Sequence, residues 1–147
     1  MDTSPKAMVF LAMIVLAFIF LISTGPLFFP KFLTMFMVQL FGLLLIFWSL
    51  LAKKVNKHAT KKELPKGYFF VDKGPYEIIR HPIYAGLLMI GSALVQYDFT
   101  LIRAWAFLIL ALAIIANSIR EESVMVELVT DYKKYKKRVK RIIPYVF

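Results

Sequence analysis

The sequence predicts an all-α integral membrane protein with about four transmembrane helices and a cytoplasmic amphipathic helix near its C-terminal end. Hydrophobic residues make up 60% of the 147 residues, and the mean hydropathy is +0.69, far above the values of soluble domains. Four apolar runs are separated by glycine, proline or charged residues, and most basic residues lie in two blocks beside those runs. Together these observations favour a small multi-pass membrane protein.

The first two apolar runs, residues 8–24 and 32–52, contain no charged residue. About 20 helical residues cross the hydrocarbon core, so both runs are predicted to span the membrane. No A-x-A-like cleavage site follows the first run, which favours a retained helix over a signal peptide. Gly25-Pro26 and Pro30 predict a short external turn between the two spans.

A basic linker, residues 53–66, follows the second span, and a short apolar run, residues 68–71, comes after it. His58 lies alone in this linker, so a solvated histidine is favoured over a metal ligand. The chain has no cysteine, which excludes disulfides and thiolate metal sites. We therefore predict no metal site.

Two further apolar runs, residues 83–97 and 101–119, are separated by Asp98 and are predicted to form a helical hairpin. Gly86 and Gly91 are small enough to allow close helix packing. The hairpin thus completes a set of four predicted spans.

Residues 120–147 are predicted to leave the membrane as a basic amphipathic helix on its surface, ended by Pro144. Apolar residues recur at helical spacing at Met125, Leu128, Val129, Tyr132, Val139 and Ile142. The opposite face carries Lys133, Lys134, Lys136, Lys137 and Lys140.

The distribution of Lys and Arg predicts the topology. Of 19 such residues, eight lie in residues 53–81 and eight in residues 120–141. Because basic segments stay on the cytoplasmic side, both segments and both termini are predicted to be cytoplasmic. The net charge of +10 then favours the surface of an anionic lipid bilayer as a partner over nucleic acid.

Residues 74–86, GPYEIIRHPIYAG, form a polar stretch between long apolar runs. Gly74-Pro75 predicts a turn. Pro82 suits the first position of a helix, which places His81 just outside it. The backbone N–H groups at a helix start attract anions, so this stretch is a candidate binding site.

Two polar clusters are predicted to meet at this end of the hairpin. One contains Tyr76, Arg80, His81 and Tyr84; the other contains Arg120, Glu121 and Glu122. The two glutamates lie about 100° apart on a helix, so only one is expected to face the first cluster. We favour Glu121 for that position. Glu122 is then expected to face water or headgroups, and its substitution to leave the fold intact.

The sequence lacks the patterns of several common enzyme classes. It contains no Ser-His-Asp spacing, no HExxH and no GxGxxG. Hydrolase, metalloprotease and dinucleotide-binding functions are therefore not supported.

From about Val71 onward the chain resembles the isoprenylcysteine carboxyl methyltransferase and phospholipid methyltransferase superfamily. GPYEIIRHPIYAG is close to the family pattern G-x-Y-x-x-x-R-H-P-x-Y-x-G, and Glu121-Glu122 matches its acidic pair. Tyr132-x-x-Tyr135 and the RVKRIIP tail of residues 138–144 follow. Two positions depart from the family pattern. Val129-Thr130-Asp131 replaces a frequent Phe-Gly, and Asn117 stands where some members have an arginine that holds the substrate carboxylate.

The resemblance implies a membrane enzyme that transfers a methyl group from S-adenosyl-L-methionine to a lipophilic or lipid-modified substrate, most like isoprenylcysteine carboxyl O-methylation. It implies a cofactor site formed by Phe70, Val71, Tyr76, His81, Pro82, Ile83, Tyr84 and Glu121. Asn117 and Arg120 are the substrate-binding candidates. Arg120 or Arg80 would hold a carboxylate nucleophile, whereas Glu121 or Glu122 would take a proton from an amine.

The length of 147 residues predicts a single domain, and the resemblance over its second half makes this a membrane methyltransferase domain over residues 1–147. Residues 1–52 are its N-terminal spans, 53–82 its linker and motif, 83–119 its hairpin and 120–147 the segment that covers the cofactor. Two alternatives stay open. One is a phosphatidylethanolamine-type N-methyltransferase, and the other is a non-catalytic small membrane protein that binds anionic lipid.

Overall fold

A computed structural model of the chain describes residues 5–24, 33–56 and 70–144. Within these ranges the chain forms α1 (Pro5–Ser23), α2 (Leu33–Asn56), a 3₁₀ turn (Gly74–Glu77), α3 (Pro82–Tyr97), α4 (Leu101–Leu128) and α5 (Tyr132–Arg138). The described residues contain no strand, and an isolated parallel bridge joins Ile79 to Lys140. The all-helical prediction is therefore confirmed.

Three helices, α1, α2 and α4, are long and apolar enough to cross a membrane. They contain 19, 24 and 28 residues. Helix α3 is also apolar but has 16 residues, about 24 Å of helix, which is shorter than a hydrocarbon core of about 30 Å. The length and composition of these helices thus support a membrane protein, and the count of four spans stays a prediction.

Neighbouring helices run in opposite directions, so that the starts of α1 and α3 lie at the same end of the bundle as the last turns of α2 and α4. Helix α3 packs mainly against α2, and α4 mainly against α1. The two helices of the predicted hairpin therefore each have an N-terminal helix as their main partner.

Two glycines explain the close pairing of α2 with α3. A Cβ atom on Gly86 would lie 2.7 Å from the carbonyl oxygen of Gly42 and 2.6 Å from Cγ1 of Ile46. A Cβ atom on Gly42 would lie 2.8 Å from the carbonyl oxygen of Gly86. The backbones approach so closely that only glycine fits at this crossing, as in other tightly packed membrane helices.

The core is built from apolar side chains of α1, α3 and α4. The outer faces of the bundle are apolar as well. Fully buried residues include Leu21, Leu94, Leu110 and Ile114. Large apolar side chains such as Leu16, Leu33, Phe41, Phe47 and Trp105 are exposed. An apolar exterior of this extent fits a bilayer rather than water.

Helix α3 begins as the sequence predicts, with Pro82 as its first residue and His81 at the N-cap position. The segment before it lies against the end of α2. Gly74 has a φ of +67°, and a Cβ atom there would lie 3.5 Å from both Trp48 and Ala52. The 3.5 Å contacts leave room for a side chain, so it is the left-handed backbone that favours glycine at this turn.

The prediction of one amphipathic helix after residue 119 is wrong. Helix α4 continues to Leu128, extended backbone follows at Val129, and the shorter α5 ends at Arg138 rather than at Pro144. The physical reason is tertiary pairing. The Arg80 N–H donates to the Lys140 carbonyl at 2.8 Å and the His81 N–H donates to the Arg141 carbonyl at 3.0 Å, so this stretch must be extended. We call residues 139–142 the C-terminal strap.

The basic linker begins later than predicted, because α2 continues through Lys53 and Lys54 to Asn56. The external turn around Gly25-Pro26, the rest of the linker with His58, and residues 145–147 lie outside the described residues.

Candidate functional site

A cavity of about 420 Å³ lies at the end of the bundle where α1 and α3 begin. Its walls come from α1, the end of α2, residues 70–84, α4 and α5. This volume falls within the range of about 300–1,000 Å³ that is usual for small-molecule sites. We call it the basal cavity.

The start of α3 forms one wall of the basal cavity. The first backbone hydrogen bond of this helix runs from the Ala85 N–H to the His81 carbonyl, at 3.0 Å. The N–H groups of Ile83 and Tyr84 come before it and have no partner within the helix. Since Ile83 and Tyr84 both line the cavity, this wall favours a negatively charged group.

Beside this wall, four side chains from α3 and α4 form a hydrogen-bonded group. The Tyr84 hydroxyl donates to Oε1 of Glu121 at 2.8 Å. The Asn117 amide donates to the Tyr84 oxygen at 2.6 Å and to Glu121 Oε1 at 2.9 Å, and Arg120 Nη2 donates to Asn117 Oδ1 at 3.4 Å. The Glu121 side chain remains 42% exposed, so its carboxylate is accessible to a ligand.

Glu122 lies at the centre of a buried ion cluster. Arg141 donates to both of its oxygens, from Nε to Oε1 at 2.9 Å and from Nη2 to Oε2 at 3.1 Å. Lys136 Nζ lies 3.2 Å from Oε2. His81 Nε2 lies 3.3 Å from Oε1.

Arg80 completes this cluster and also lines the basal cavity. Its Nη1 atom lies 3.2 Å from Glu122 Oε2, within ion-pair range but without hydrogen-bond geometry. Its Nε atom has no hydrogen-bond partner in the part of the chain that the structure describes, and its side chain is 8% exposed. Arg80 therefore has donor capacity left for a ligand.

The expectation that Glu122 faces water or headgroups is wrong, because its side chain is 1% exposed. It does not line the basal cavity. The cause is the C-terminal strap, which brings Arg141 against the buried side of α4. Sequence spacing gives no indication of that contact.

His81 connects the ion cluster with the cavity wall. Its Nδ1 atom lies 3.7 Å from Glu121 Oε2, and its Nε2 atom faces Glu122. Its ring stacks on Tyr84, with centroids 5.5 Å apart and planes 16° apart. His81 thus has contacts on three sides, which fix the orientation of its ring at the N-terminus of α3.

Aromatic rings form the remaining wall. Phe70 meets Tyr132 and Tyr135 edge-on, with centroid distances of 5.8 Å and 5.3 Å. The Tyr135 hydroxyl donates to the Tyr76 carbonyl at 2.7 Å. Burial, together with the charge of Glu122, raises the pKa of Tyr132 to about 12, so this phenol keeps its proton even in alkaline solution. Aromatic rings beside a carboxylate suit a cationic ligand.

Every site residue predicted from the sequence lines the basal cavity, with the exception of Glu122. This set comprises Phe70, Val71, Tyr76, Arg80, His81, Pro82, Ile83, Tyr84, Asn117, Arg120 and Glu121. The structure thereby brings together the two polar clusters that lie about 40 residues apart in the sequence.

Several cavity residues were not predicted as site residues. They are Ala7, Met8, Leu11, Lys53, Met125, Tyr132 and Tyr135. The three-residue spacing of Tyr132 and Tyr135 was the available signal, since it places both rings on one helical face. The α1 residues belong to a uniformly apolar run and carry no such signal. Among the described residues, no group of three possible ligands could hold a metal ion.

The chain matches no protein-family model, no curated protein and no solved structure. The assignment of a function therefore depends on the basal cavity and on the residues that line it.

Proposed function

We propose that this chain is an integral membrane methyltransferase that uses S-adenosyl-L-methionine and acts on a lipophilic substrate, most like isoprenylcysteine carboxyl O-methylation. One observation carries the proposal. Phe70, Val71, Tyr76, residues 80–84 and Glu121, which the family resemblance marks in separate parts of the sequence, line the same cavity.

The chemistry of the cavity fits this cofactor. When bound, S-adenosyl-L-methionine supplies an electrophilic methyl group on a positively charged sulfur. The Glu121 carboxylate and the rings of Tyr76 and Tyr132 suit the positive groups of such a ligand. The carboxylate of the cofactor would be held by the start of α3 and by Arg80, whose Nε atom has no hydrogen-bond partner among the described residues.

The acceptor side of the cavity is assigned to α1 and Arg120. Met8 and Leu11 line the cavity while remaining 62% and 37% exposed, so the apolar surface of α1 continues into it. A lipophilic acceptor would enter there from the bilayer. A carboxylate acceptor is already ionised and needs positioning rather than a base, and Arg120 is the cation we assign to that task.

An amine acceptor of the phosphatidylethanolamine type is the second candidate, because the cavity also contains an accessible carboxylate. An ammonium group must lose a proton before it attacks, and Glu121 is placed to accept that proton. We assign this role to Glu121 rather than Glu122, whose oxygens already contact Arg80, His81, Lys136 and Arg141. A non-catalytic lipid-binding protein would leave the basal cavity without a role.

The orientation is part of the proposal. With eight of 19 basic residues in residues 53–81 and eight in residues 120–141, the end of the bundle that holds the cavity would face the cytoplasm. The cofactor would then enter from the cytosol and the acceptor from the membrane.

Two measurements test this proposal. Isothermal titration of the purified protein with S-adenosylhomocysteine should show saturable binding, and the absence of binding would exclude this cofactor. Transfer of labelled methyl groups to a panel of prenylcysteine carboxylates and phospholipid amines then identifies the acceptor. We expect Arg120→Gln to impair transfer to carboxylates, whereas Lys73→Gln, which removes the same charge from an exposed position outside the cavity lining, serves as the control.

A further inference from the structure

We propose that the basic face of α5 binds anionic phospholipid headgroups of the membrane that holds the protein, and that this contact keeps α5 closed over the basal cavity. The basic face consists of Lys133, Lys134, Lys137 and Arg138, all exposed. This contact between lipid and α5 does not depend on which ligand the cavity binds.

Two connections set the depth of α5 relative to the membrane. The C-terminal strap is hydrogen-bonded to the backbone of Arg80 and His81, which directly precede the apolar helix α3. Arg141 is paired with Glu122, which comes shortly after the apolar part of α4. Both anchor points lie where an apolar helix meets the surface of the membrane, so α5 lies at the level of the lipid headgroups.

The charge of α5 matches that surface. Its seven residues include five basic residues and no acidic residue. Only Lys136 turns inward, to Glu122, and Lys134 has an exposed partner in Asp131 at 3.1 Å. Each lysine near an anionic leaflet strengthens association by about fivefold. Ile143, which follows the strap and is 52% exposed, adds an apolar group suited to the interface.

The opposite face of the same helix closes the cavity. Tyr132 and Tyr135 are buried and line the basal cavity. A helix of seven residues is not stable by itself in water, and α5 is separated from α4 by the non-helical residues 129–131. Its order therefore depends on the contacts of both faces, so lipid on one face affects the cavity wall on the other.

The test compares hydrogen exchange of residues 129–142 in two kinds of lipid nanodisc, without any cavity ligand. One disc contains phosphatidylcholine alone, and the other also contains phosphatidylglycerol. We expect the exchange rate of the α5 amides to be lower by a factor of about five or more in the anionic disc. High salt should remove this difference in the native chain, because it screens exposed charges. Equal exchange in both discs would overturn the proposal.

A triple variant and its matched control locate the effect. Lys133→Gln/Lys134→Gln/Lys137→Gln should lose the difference between the discs. Lys6→Gln/Lys54→Gln/Lys73→Gln removes the same charge from exposed lysines outside α5 and should retain it. Equal loss in both variants, or retention in the first, would contradict a specific role for α5. Unchanged protection of α4 shows that the bundle is intact.

Discussion

Tyr84 and Glu121 lie on different helices and are joined by a hydrogen bond of 2.8 Å across the polar wall of the basal cavity. Asn117 donates to both of them and stands one helical turn before Glu121. The first turn of α3 is thereby tied to α4 at a fixed distance. The tyrosine hydroxyl positions the carboxylate, and the carboxylate carries the charge of this wall, so separate substitutions test the two groups.

Tyr84→Phe removes the hydroxyl but leaves the bond from Asn117 to Glu121. This bond holds the Glu121 carboxylate in the cavity wall, and a hydrogen bond contributes roughly 0.5–1.5 kcal/mol, so we expect S-adenosylhomocysteine to bind about 2- to 10-fold more weakly. Isothermal titration measures this. Tyr97→Phe, at the far end of the same helix, is the control, and an unchanged affinity in Tyr84→Phe would place the ligand elsewhere.

Glu121→Gln keeps the shape of the side chain and removes its charge. We expect turnover to be abolished while the circular dichroism spectrum stays unchanged. Glu127→Gln makes the same change at an exposed position of α4 and should behave like the native chain. Similar mild losses in the two variants would mean that Glu121 is an ordinary flanking charge.

Glu122→Gln should destabilise the fold. It removes the carboxylate that Arg80, Lys136 and Arg141 share, and breaking a buried ion pair in this way typically costs about 3–5 kcal/mol. Thermal unfolding in detergent should show a clearly lower midpoint than in Glu127→Gln. Equal midpoints would restore the expectation from the sequence that Glu122 is dispensable for folding.

Gly86→Ala should separate α2 from α3. The new Cβ atom would meet the Gly42 backbone oxygen at 2.7 Å, and such overpacking typically costs about 1–3 kcal/mol. Gly91→Ala is the milder comparison and should cost less, because the three atoms nearest to its Cβ atom belong to the side chains of Phe107 and Leu110, at 3.1–3.2 Å, which can shift more easily than backbone. The proposed crossing would be refuted by equal stability of both variants.

The proposed topology is tested by single cysteines in this cysteine-free chain. Thr60→Cys and Phe147→Cys should resist a membrane-impermeant thiol reagent in intact cells and react after permeabilisation. A cysteine introduced at Phe99, in the turn between α3 and α4, should react without permeabilisation. Labelling of position 60 or 147 in intact cells would invert the topology.

Much of the site was predictable because it depends on local chemistry. Pro82 by itself indicates the start of a helix. The geometry of a helical hairpin then brings Arg80 and Glu121 to the same end of the bundle. The pairing of α2 with α3 was less accessible, because Gly42 becomes meaningful only when Gly86 is known to oppose it.

The end of α4 and the role of Glu122 could not be predicted for physical reasons. Charged residues from Arg120 onward mark where the chain leaves an apolar environment, but a helix does not end where its surroundings change. Arg141, which donates to both oxygens of Glu122, lies 19 residues away in the sequence. Their contact requires an extended strap whose hydrogen bonds come from the backbone of residues 80 and 81.

The parallel bridge between Ile79 and Lys140 sets an order of events during biosynthesis. Residues 79–81 emerge from the ribosome before α3 and α4, and their strap partners emerge after both. Until residue 141 is synthesised, Glu122 lacks its Arg141 partner. All of α3 and α4 therefore precedes the strap in the growing chain, and the ion cluster around Glu122 is the last part of this end of the bundle to be completed.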